Sequence, residues 1–317
     1  MSDHRMTDAP SASGGPLLSV IVTIVEGGGA VRRLLTALTT QRDAPPMEIL
    51  VPYDESARKH VVSVEPDFPT VRFMPLGVVA TEQPITSAGG EHELFDRRRA
   101  AGLAVAKGDL IAIVEDRGAP RGDWAGTAVR LHRELEYGVI GGAIDPLPTS
   151  IGGWAVHVCD FTRYTSPFES GARDWVSDVN VVYKRRALEA TRSLWQERYQ
   201  EPIVHWSLQQ QGDTLYLSNE LVVEHHRGAV PLGQLLGERY HWGRLFGAIR
   251  ARQLSLPKRI VLGLAGPLIP LTVFVRHARA HAAKGNAMRF VLAAPAVMLY
   301  LVAWSWGEVS GIVSGRA

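Results

Sequence analysis

Short apolar runs rich in β-branched residues alternate with amphipathic segments through the first two-thirds of the chain, and long apolar stretches take over near its end. Leu18-Ser19-Val20-Ile21-Val22-Thr23-Ile24-Val25 predicts a strand released by Gly27-Gly28-Gly29. Val31 to Thr39 places Leu34, Leu35 and Leu38 on one helical face. Glu48-Ile49-Leu50-Val51 predicts a second strand stopping at Pro52, and Val71-Arg72-Phe73-Met74 a third. A helix over Arg97 to Ala106 leads through Gly108 into the strand Leu110-Ile111-Ala112-Ile113-Val114. Its Ala100, Ala101, Leu103 and Ala104 are small enough to sit beneath a ligand. Trp124 to Tyr137 is amphipathic, and Val139 to Ile144 is another strand. Trp175 to Tyr183 adds a strand or turn, Glu201 to Gly212 a helix, and Thr214 to Leu217 and Leu221 to His226 two strands. Nearly continuous apolar strands separated by helices predict an α/β sheet covered on both faces.

Composition narrows the classes. A chain of 317 residues has material for one sizeable domain and an appendage. The formal charge of +2 does not mark a nucleic-acid binder, and no nucleic-acid-binding motif is present. Cys159 is the single cysteine, which excludes an internal disulfide and a thiolate metal site and fits a reducing compartment. Met1 to Gly15 lacks an apolar signal core and reads as a disordered tail. The expected organisation is a tail over 1–16, a domain over 17–228, an amphipathic linker over 229–258 and two apolar helices over 259–317.

The apolar stretches bear on location. Ile260 to Val275 contains Pro267 and Pro270 and spans about 24 Å as a helix, short of a ~30 Å hydrocarbon core. Phe290 to Trp306 is longer, with Tyr300, Trp304 and Trp306 suited to the interface. Arg250, Arg252, Lys258, Arg259, Arg276, Arg279, Lys284 and Arg289 bracket both stretches, as expected beside anionic lipid headgroups. If the first stretch crossed a bilayer, its flanking basic segments would face opposite sides, so a re-entrant or interfacial helix stands beside a true hairpin.

The candidate chemistry lies at a strand tip. Glu115-Asp116-Arg117 ends the strand begun at Leu110, where an open α/β sheet usually binds its ligand. The glycine run is not G-x-G-x-x-G and no Lys-Ser or Lys-Thr pair follows it, which argues against a dehydrogenase or a P-loop enzyme. Other segments matter by their order. Pro52-Tyr53-Asp54-Glu55-Ser56 follows the second strand, and Arg97-Arg98-Arg99 precedes Ala106-Lys107-Gly108. Trp124 follows the acidic tip, Asp178-Val179-Asn180 precedes Lys184-Arg185-Arg186, Tyr199-Gln200-Glu201-Pro202 opens a helix, and Glu224-His225-His226 ends the last strand.

Over roughly Leu18 to Gly228 this order resembles the family 2 glycosyltransferases, with Glu115-Asp116-Arg117 where those enzymes carry Asp-x-Asp. The resemblance implies the α/β GT-A nucleotide-diphospho-sugar transferase fold, here with a C-terminal helical membrane-associated extension. It implies an inverting transfer of sugar from a nucleoside-diphosphate sugar, UDP-sugar favoured, to a hydroxyl of a lipid-linked, polyprenyl-linked or other membrane-proximal acceptor. Thr23, Asp54, Arg98, Arg99, Glu115, Arg117 and Asn180 are the donor-binding candidates, with Asn180 ordering either the sugar or the turn. Asp178 and Trp242 are the acceptor-binding candidates, Glu201 the general base with Glu197 as competitor, and Asp116 a catalytic residue.

Asp116 and His225 are the candidate ligands of Mg²⁺ or Mn²⁺, with His226 the alternative to His225. Arg117 replaces the motif's last acid, so it either leaves Asp116 to hold the metal or supplies positive charge that weakens metal dependence. Trp124 is expected to pack the next helix, and Glu238 to Arg250 to form a helix that covers the acceptor or rests on the membrane. The implied setting is a bacterial inner membrane with the catalytic domain facing the cytoplasm, membrane lipids as partners, and an open question of homo-oligomer formation. Two other readings remain: a glycosyltransferase with a soluble small-molecule or peptide acceptor, and a catalytically degenerate sugar-nucleotide binder or scaffold.

Overall fold

The computed structural model describes residues 15–147, 150–227 and 231–315. Most of the expected tail, and the boundary at Gly228, lie outside the described residues. The chain runs β1 (Leu18–Thr23), α1 (Gly29–Thr39), β2 (Met47–Tyr53), α2 (Arg58–Val61), β3 (Arg72–Pro75), α3 (Ala88–Val105), β4 (Leu110–Glu115) and β5 (Gly118–Pro120). It continues through α4 (Trp124–Glu134), β6 (Val139–Pro146), α5 (Ile151–Phe161), β7 (Gly171–Arg173), β8 (Asn180–Lys184), α6 (Arg185–Ala190), α7 (Arg192–Trp195), α8 (Glu201–Gln210) and β9 (Leu215–His225). The last elements are α9 (Leu232–Ala251), α10 (Leu256–Ala265), α11 (Ile269–Ala283) and α12 (Ala287–Ser314).

One mixed sheet has the order β3-β2-β1-β4-β8-β6-β9-β5, with β7 also paired to β9. The first four strands of that order are parallel, and β8 enters antiparallel between β4 and β6. Alternation along β1 divides two cores. Leu18, Val20 and Val22 pack with Val31, Leu34, Leu35 and Trp124 on one face, while Ile21 packs with Ala100, Leu103 and Val181 on the other. Ala100 and Leu103 thus fill the sheet face; they do not underlie a ligand.

Several boundaries differ from the sequence reading. Strand β2 runs through Pro52, which pairs with Met74 of β3 beyond Leu50, the last residue of β2 in register with β1. Helix α3 starts nine residues earlier than expected, capped by the Ser87 hydroxyl, which accepts from the Gly90 N–H. The two last strands are one, β9, whose register against β6 shifts between Gly142 and Ala143. Helix α5 was not anticipated, because Gly152-Gly153 and the β-branched Val156 and Val158 obscure its period. It builds a third core, in which Trp154, Val158, Leu235, Phe290, Val297 and Tyr300 pack together.

The prolines of the apolar C-terminus do not break it. Pro267 lies in a 3₁₀ turn and Pro270 in the first turn of α11, where an absent N–H costs little. Leu256–Ala283 and Ala287–Ser314 each provide 28 residues long and apolar enough to cross a membrane. That removes the shortness of the first stretch, since such a length reaches about 42 Å. The outer faces are apolar, with Leu264 79%, Met288 74% and Trp306 71% exposed.

Helices α9 and α12 meet through glycines. A Cβ on Gly307 would lie 1.9 Å from the Tyr240 carbonyl oxygen, and one on Gly311 2.1 Å from that of Arg244. On the other helix a Cβ on Gly243 would approach the Trp304 oxygen to 2.1 Å, and one on Gly247 the Glu308 oxygen to 2.2 Å. Two small-xxx-small stripes therefore face each other and let the backbones touch. Arg250 donates to Glu308 across the same contact at 2.7 Å.

Candidate functional site

The C-terminal tips of β1, β4 and β9, the turn before β8, and helices α5, α9, α11 and α12 enclose a cavity of about 1240 Å³. Its sheet end carries Arg99, Glu115, Arg117, Asp178 and His225, and its far wall Ile269, Val273, Tyr300, Leu301 and Trp304. The wall holds nine basic side chains against five acidic ones. A cavity lined by a surplus of basic side chains together with apolar ones suits an anionic, partly apolar substrate.

At its centre Glu115 leaves β4 and meets His225 from the end of β9, with His225 Nε2 3.0 Å from Glu115 Oε1. Burial raises the Glu115 pKa, but the His225 bond and charge, with Arg117 and Arg99, outweigh it and pull it down to about 2. The carboxylate is thus fixed and ionised. Of the adjacent histidines it is His225 that lines the cavity, and its ring packs on Phe161 at 4.7 Å.

Asp116 points elsewhere. Its Oδ1 accepts from the Val25 and Glu26 amides at 3.1 Å, and its Oδ2 from Glu26 at 3.0 Å and Gly27 at 2.6 Å. It is fully buried, and burial pushes it up to about 6 against those amide bonds and with the push of Glu115. Asp116 therefore shapes the exit of β1, and the expected roles of metal ligand and catalytic residue do not fit its surroundings. Asp116→Asn turns one acceptor into a donor facing amide N–H groups. We expect it to lower unfolding free energy by about 1–3 kcal/mol in urea titration, and an unchanged midpoint would refute this role.

Asp54 and Arg98 are likewise spent on each other. Arg98 Nε donates to Asp54 Oδ1 at 2.8 Å, Nη2 pairs with the same oxygen, and Nη1 donates to the Ile24 carbonyl at 2.9 Å. Burial raises the Asp54 pKa, while Ser56 and Arg98 outweigh it, so its carboxyl stays below the usual range. The pair braces the exits of β1 and β2 and neither residue lines the cavity. Thr23 is also fully buried, and its hydroxyl accepts from Arg99 Nε at 2.9 Å. It aims Arg99, whose Nη1 reaches Asp178 Oδ2 at 2.8 Å.

Asn180 does not reach the cavity. Its amide nitrogen donates to the Ala143 and Leu221 carbonyls at 2.9 Å each, and its oxygen accepts from Trp124 Nε1 at 2.9 Å. It orders the sheet at the β6–β9 bulge, and Trp124 packs the start of α4 as expected. Of the two expected functions of Asn180, ordering the chain is the one this geometry fits.

The Asp178 and Glu201 carboxylates are arranged in two ranks. Asp178 lies in the cavity wall, while Glu201, at the first turn of α8, is behind it. Glu201 Oε2 accepts the Asp178 N–H at 3.0 Å and Oε1 lies 3.4 Å from His205 Nδ1. Burial raises the pKa of Asp178, Arg99 opposes this, and the charges of Glu201, Glu115 and Asp96 reinforce it, so the carboxyl is held above the usual range. Trp242 on α9 lines the cavity with Arg239 stacked at 4.9 Å. Arg227, Arg239 and Asp160 are cavity residues that sequence reasoning did not single out. Arg239 lies in a segment whose basic and aromatic character was legible, and there only Trp242 had been an acceptor-binding candidate.

Among the described residues no group of three or more His, Cys, Asp or Glu side chains is arranged to hold a metal ion. With Asp116 saturated by amides, Glu115 bound to His225 and Arg117 in the third position, the side chains at this tip do not form a divalent-cation site.

No protein-family model and no curated protein sequence matches the chain. Among solved structures, a mannosyltransferase from Pyrobaculum calidifontis in complex with GDP-Man and Mn²⁺ is similar at 14% identity and a TM-score of 0.52, over 95% of this chain and 89% of that one. TarS 1–349 of S. aureus is 14% identical with a TM-score of 0.47, over 92% of this chain and 90% of that one. The strand order and the first of these likenesses agree that the chain shares the mixed α/β fold of that glycosyltransferase, extended by apolar C-terminal helices.

Proposed function

We propose that this protein transfers a sugar from a nucleoside-diphosphate donor to a hydroxyl of a membrane-proximal acceptor, with inversion at the anomeric carbon. The observation that carries this reading is one cavity that runs from the charged strand tips to α11 and α12, where Ile269, Val273, Leu301 and Trp304 line it beside Arg276 and Lys284. An acceptor whose lipid part lies along those helices would present its hydroxyl near Asp178. The membrane is then bound by α10 to α12, with the sheet domain on the cytoplasmic side where nucleotide sugars are made.

In the reaction, the acceptor oxygen forms a bond to the anomeric carbon while the bond from that carbon to the diphosphate oxygen breaks, its electron pair leaving with the diphosphate. The acceptor proton goes to the Asp178 carboxylate and then to solvent. Asp178 takes the role of base that the resemblance gave to Glu201, because Asp178 lines the cavity and Glu201 does not. Glu201 holds the Asp178 backbone, and Arg99 orients the Asp178 carboxylate. Glu115, fixed by His225, is an acceptor for donor hydroxyls.

The test uses the full-length protein in lipid nanodiscs with labelled UDP-sugars and GDP-sugars and a polyprenyl phosphate as acceptor. We expect label in the organic extract and equimolar nucleoside diphosphate in the aqueous phase. Label moved only to water-soluble acceptors would favour the soluble-acceptor reading. Nucleotide binding without any turnover would favour a degenerate binder.

A further inference from the structure

Arg239 is 1% exposed and Arg227 is 7% exposed, yet both line the cavity. Nη1 of Arg239 pairs with Asp160, but its Nε and Nη2 are buried without a hydrogen-bond partner among the described residues. One arm of Arg227 pairs with Glu238, and its Nε has no such partner either. Arg117 joins them through the sheet. The β5–β9 ladder sets Gly118 opposite His225, and the His226 amide donates to the Arg117 carbonyl at 2.8 Å. Arg117 is thereby fixed beside Arg227, with its Nε 3.6 Å from Glu26, an ion pair without a hydrogen bond.

Buried guanidinium groups with idle donors are costly unless something occupies them. The charges of Arg117 and Arg239 also press on Arg227, whose pKa is lowered by burial first and by Arg117 next. This crowding is relieved by an anion with many acceptor oxygens. A diphosphate matches the forked donors of several arginines, and it belongs beside Glu115, at the strand tips.

We infer that Arg117, Arg227 and Arg239 form a diphosphate site that neutralises the donor's leaving group in place of a divalent cation. The inference rests on the glycosyl-transfer reading and adds to it that donor binding and leaving-group stabilisation do not require metal. The same three groups would hold the departing diphosphate as its negative charge develops. Asp160 and Glu238 keep the cluster together before the donor arrives.

The experiment is calorimetric titration of the full-length detergent-solubilised protein with UDP and GDP, each in EDTA and in Mn²⁺, with uridine and guanosine as phosphate-free controls. We expect one nucleotide to bind in EDTA within about threefold of its affinity in Mn²⁺, and to weaken with salt. Arg117→Ala should weaken that binding in EDTA by roughly 10-fold or more and leave the nucleoside unchanged. Should Arg239→Ala fail to fold, Arg239→Lys retains the charge beside Asp160 but loses the fork, and it should weaken the nucleotide alone. Binding that appears only with Mn²⁺ overturns the metal-free site and leaves glycosyl transfer standing. Equal weakening of nucleotide and nucleoside makes the arginines structural and also overturns the site. Absence of binding by either nucleotide under both conditions overturns the site and the glycosyl-transfer reading together.

Discussion

Asp178→Asn is expected to lower sugar transfer by about 10²- to 10⁴-fold with nucleotide affinity nearly unchanged, the range associated with loss of a general base. The change removes the proton acceptor while preserving size. Asp178 must be ionised to act, and its pKa is raised, by burial above all. Activity in the wild-type protein should therefore rise with pH through a limb above the ordinary Asp range of about 4, and be lost as pH falls below it. Glu201 is the informative comparison. Glu201→Gln keeps an oxygen for the Asp178 amide but removes a charge that raises the Asp178 pKa, so the limb should move to lower pH with most of the maximal rate kept. If Glu201→Gln instead abolishes transfer and Asp178→Asn does not, the base is Glu201.

Gly307→Val is expected to detach α12 from α9. Its Cβ would lie 1.9 Å from the backbone oxygen of Tyr240, and no side-chain rotation can relieve a clash with backbone. Overpacking of this kind costs about 3 kcal/mol or more when neighbours cannot shift. The apolar wall of the cavity then loses its support, and transfer to a membrane acceptor should collapse while nucleotide binding at the strand tips persists. Gly263→Ala is the control, since a Cβ there meets only Val313 Cγ2 at 3.6 Å, an ordinary contact. Limited proteolysis of the linker between α9 and α10 reads the detachment. Equal protection in the two variants would refute the glycine contact as the anchor.

Much of the sheet domain was legible from local pattern. The β-branched runs of β1 and β4 and the periodic apolar face of α1 needed no distant partner to be recognised. The acid-bearing tip at Glu115 followed from strand direction alone. The C-terminal helices are longer than the apolar runs of the sequence because helical backbone continues through the basic residues that bound those runs, Arg259, Arg276 and Arg289. The glycine stripes at Gly243/Gly247 and Gly307/Gly311 were present in the sequence, but only their meeting gives them meaning.

The amino-acid sequence by itself determined the α/β class, the main strands and helices of the parallel half of the sheet, the apolar end and the position of the acidic tip. These depend on periodicity and on chain direction, which are local properties. The tertiary structure decided which of the adjacent polar residues faces the cavity. Asp116 turns to the amides of Val25 to Gly27 and Glu115 turns to His225, although they are neighbours in sequence. Asp178 and Glu201 exchange the expected ranks because the start of α8 packs behind the turn before β8. Arg117, Arg227 and Arg239 converge only because strand pairing and the docking of α9 bring three distant guanidinium groups to one wall. Local pattern fixes which face of an element a side chain occupies; the partners packed on that face determine whether its charge is paired, buried or left for a ligand.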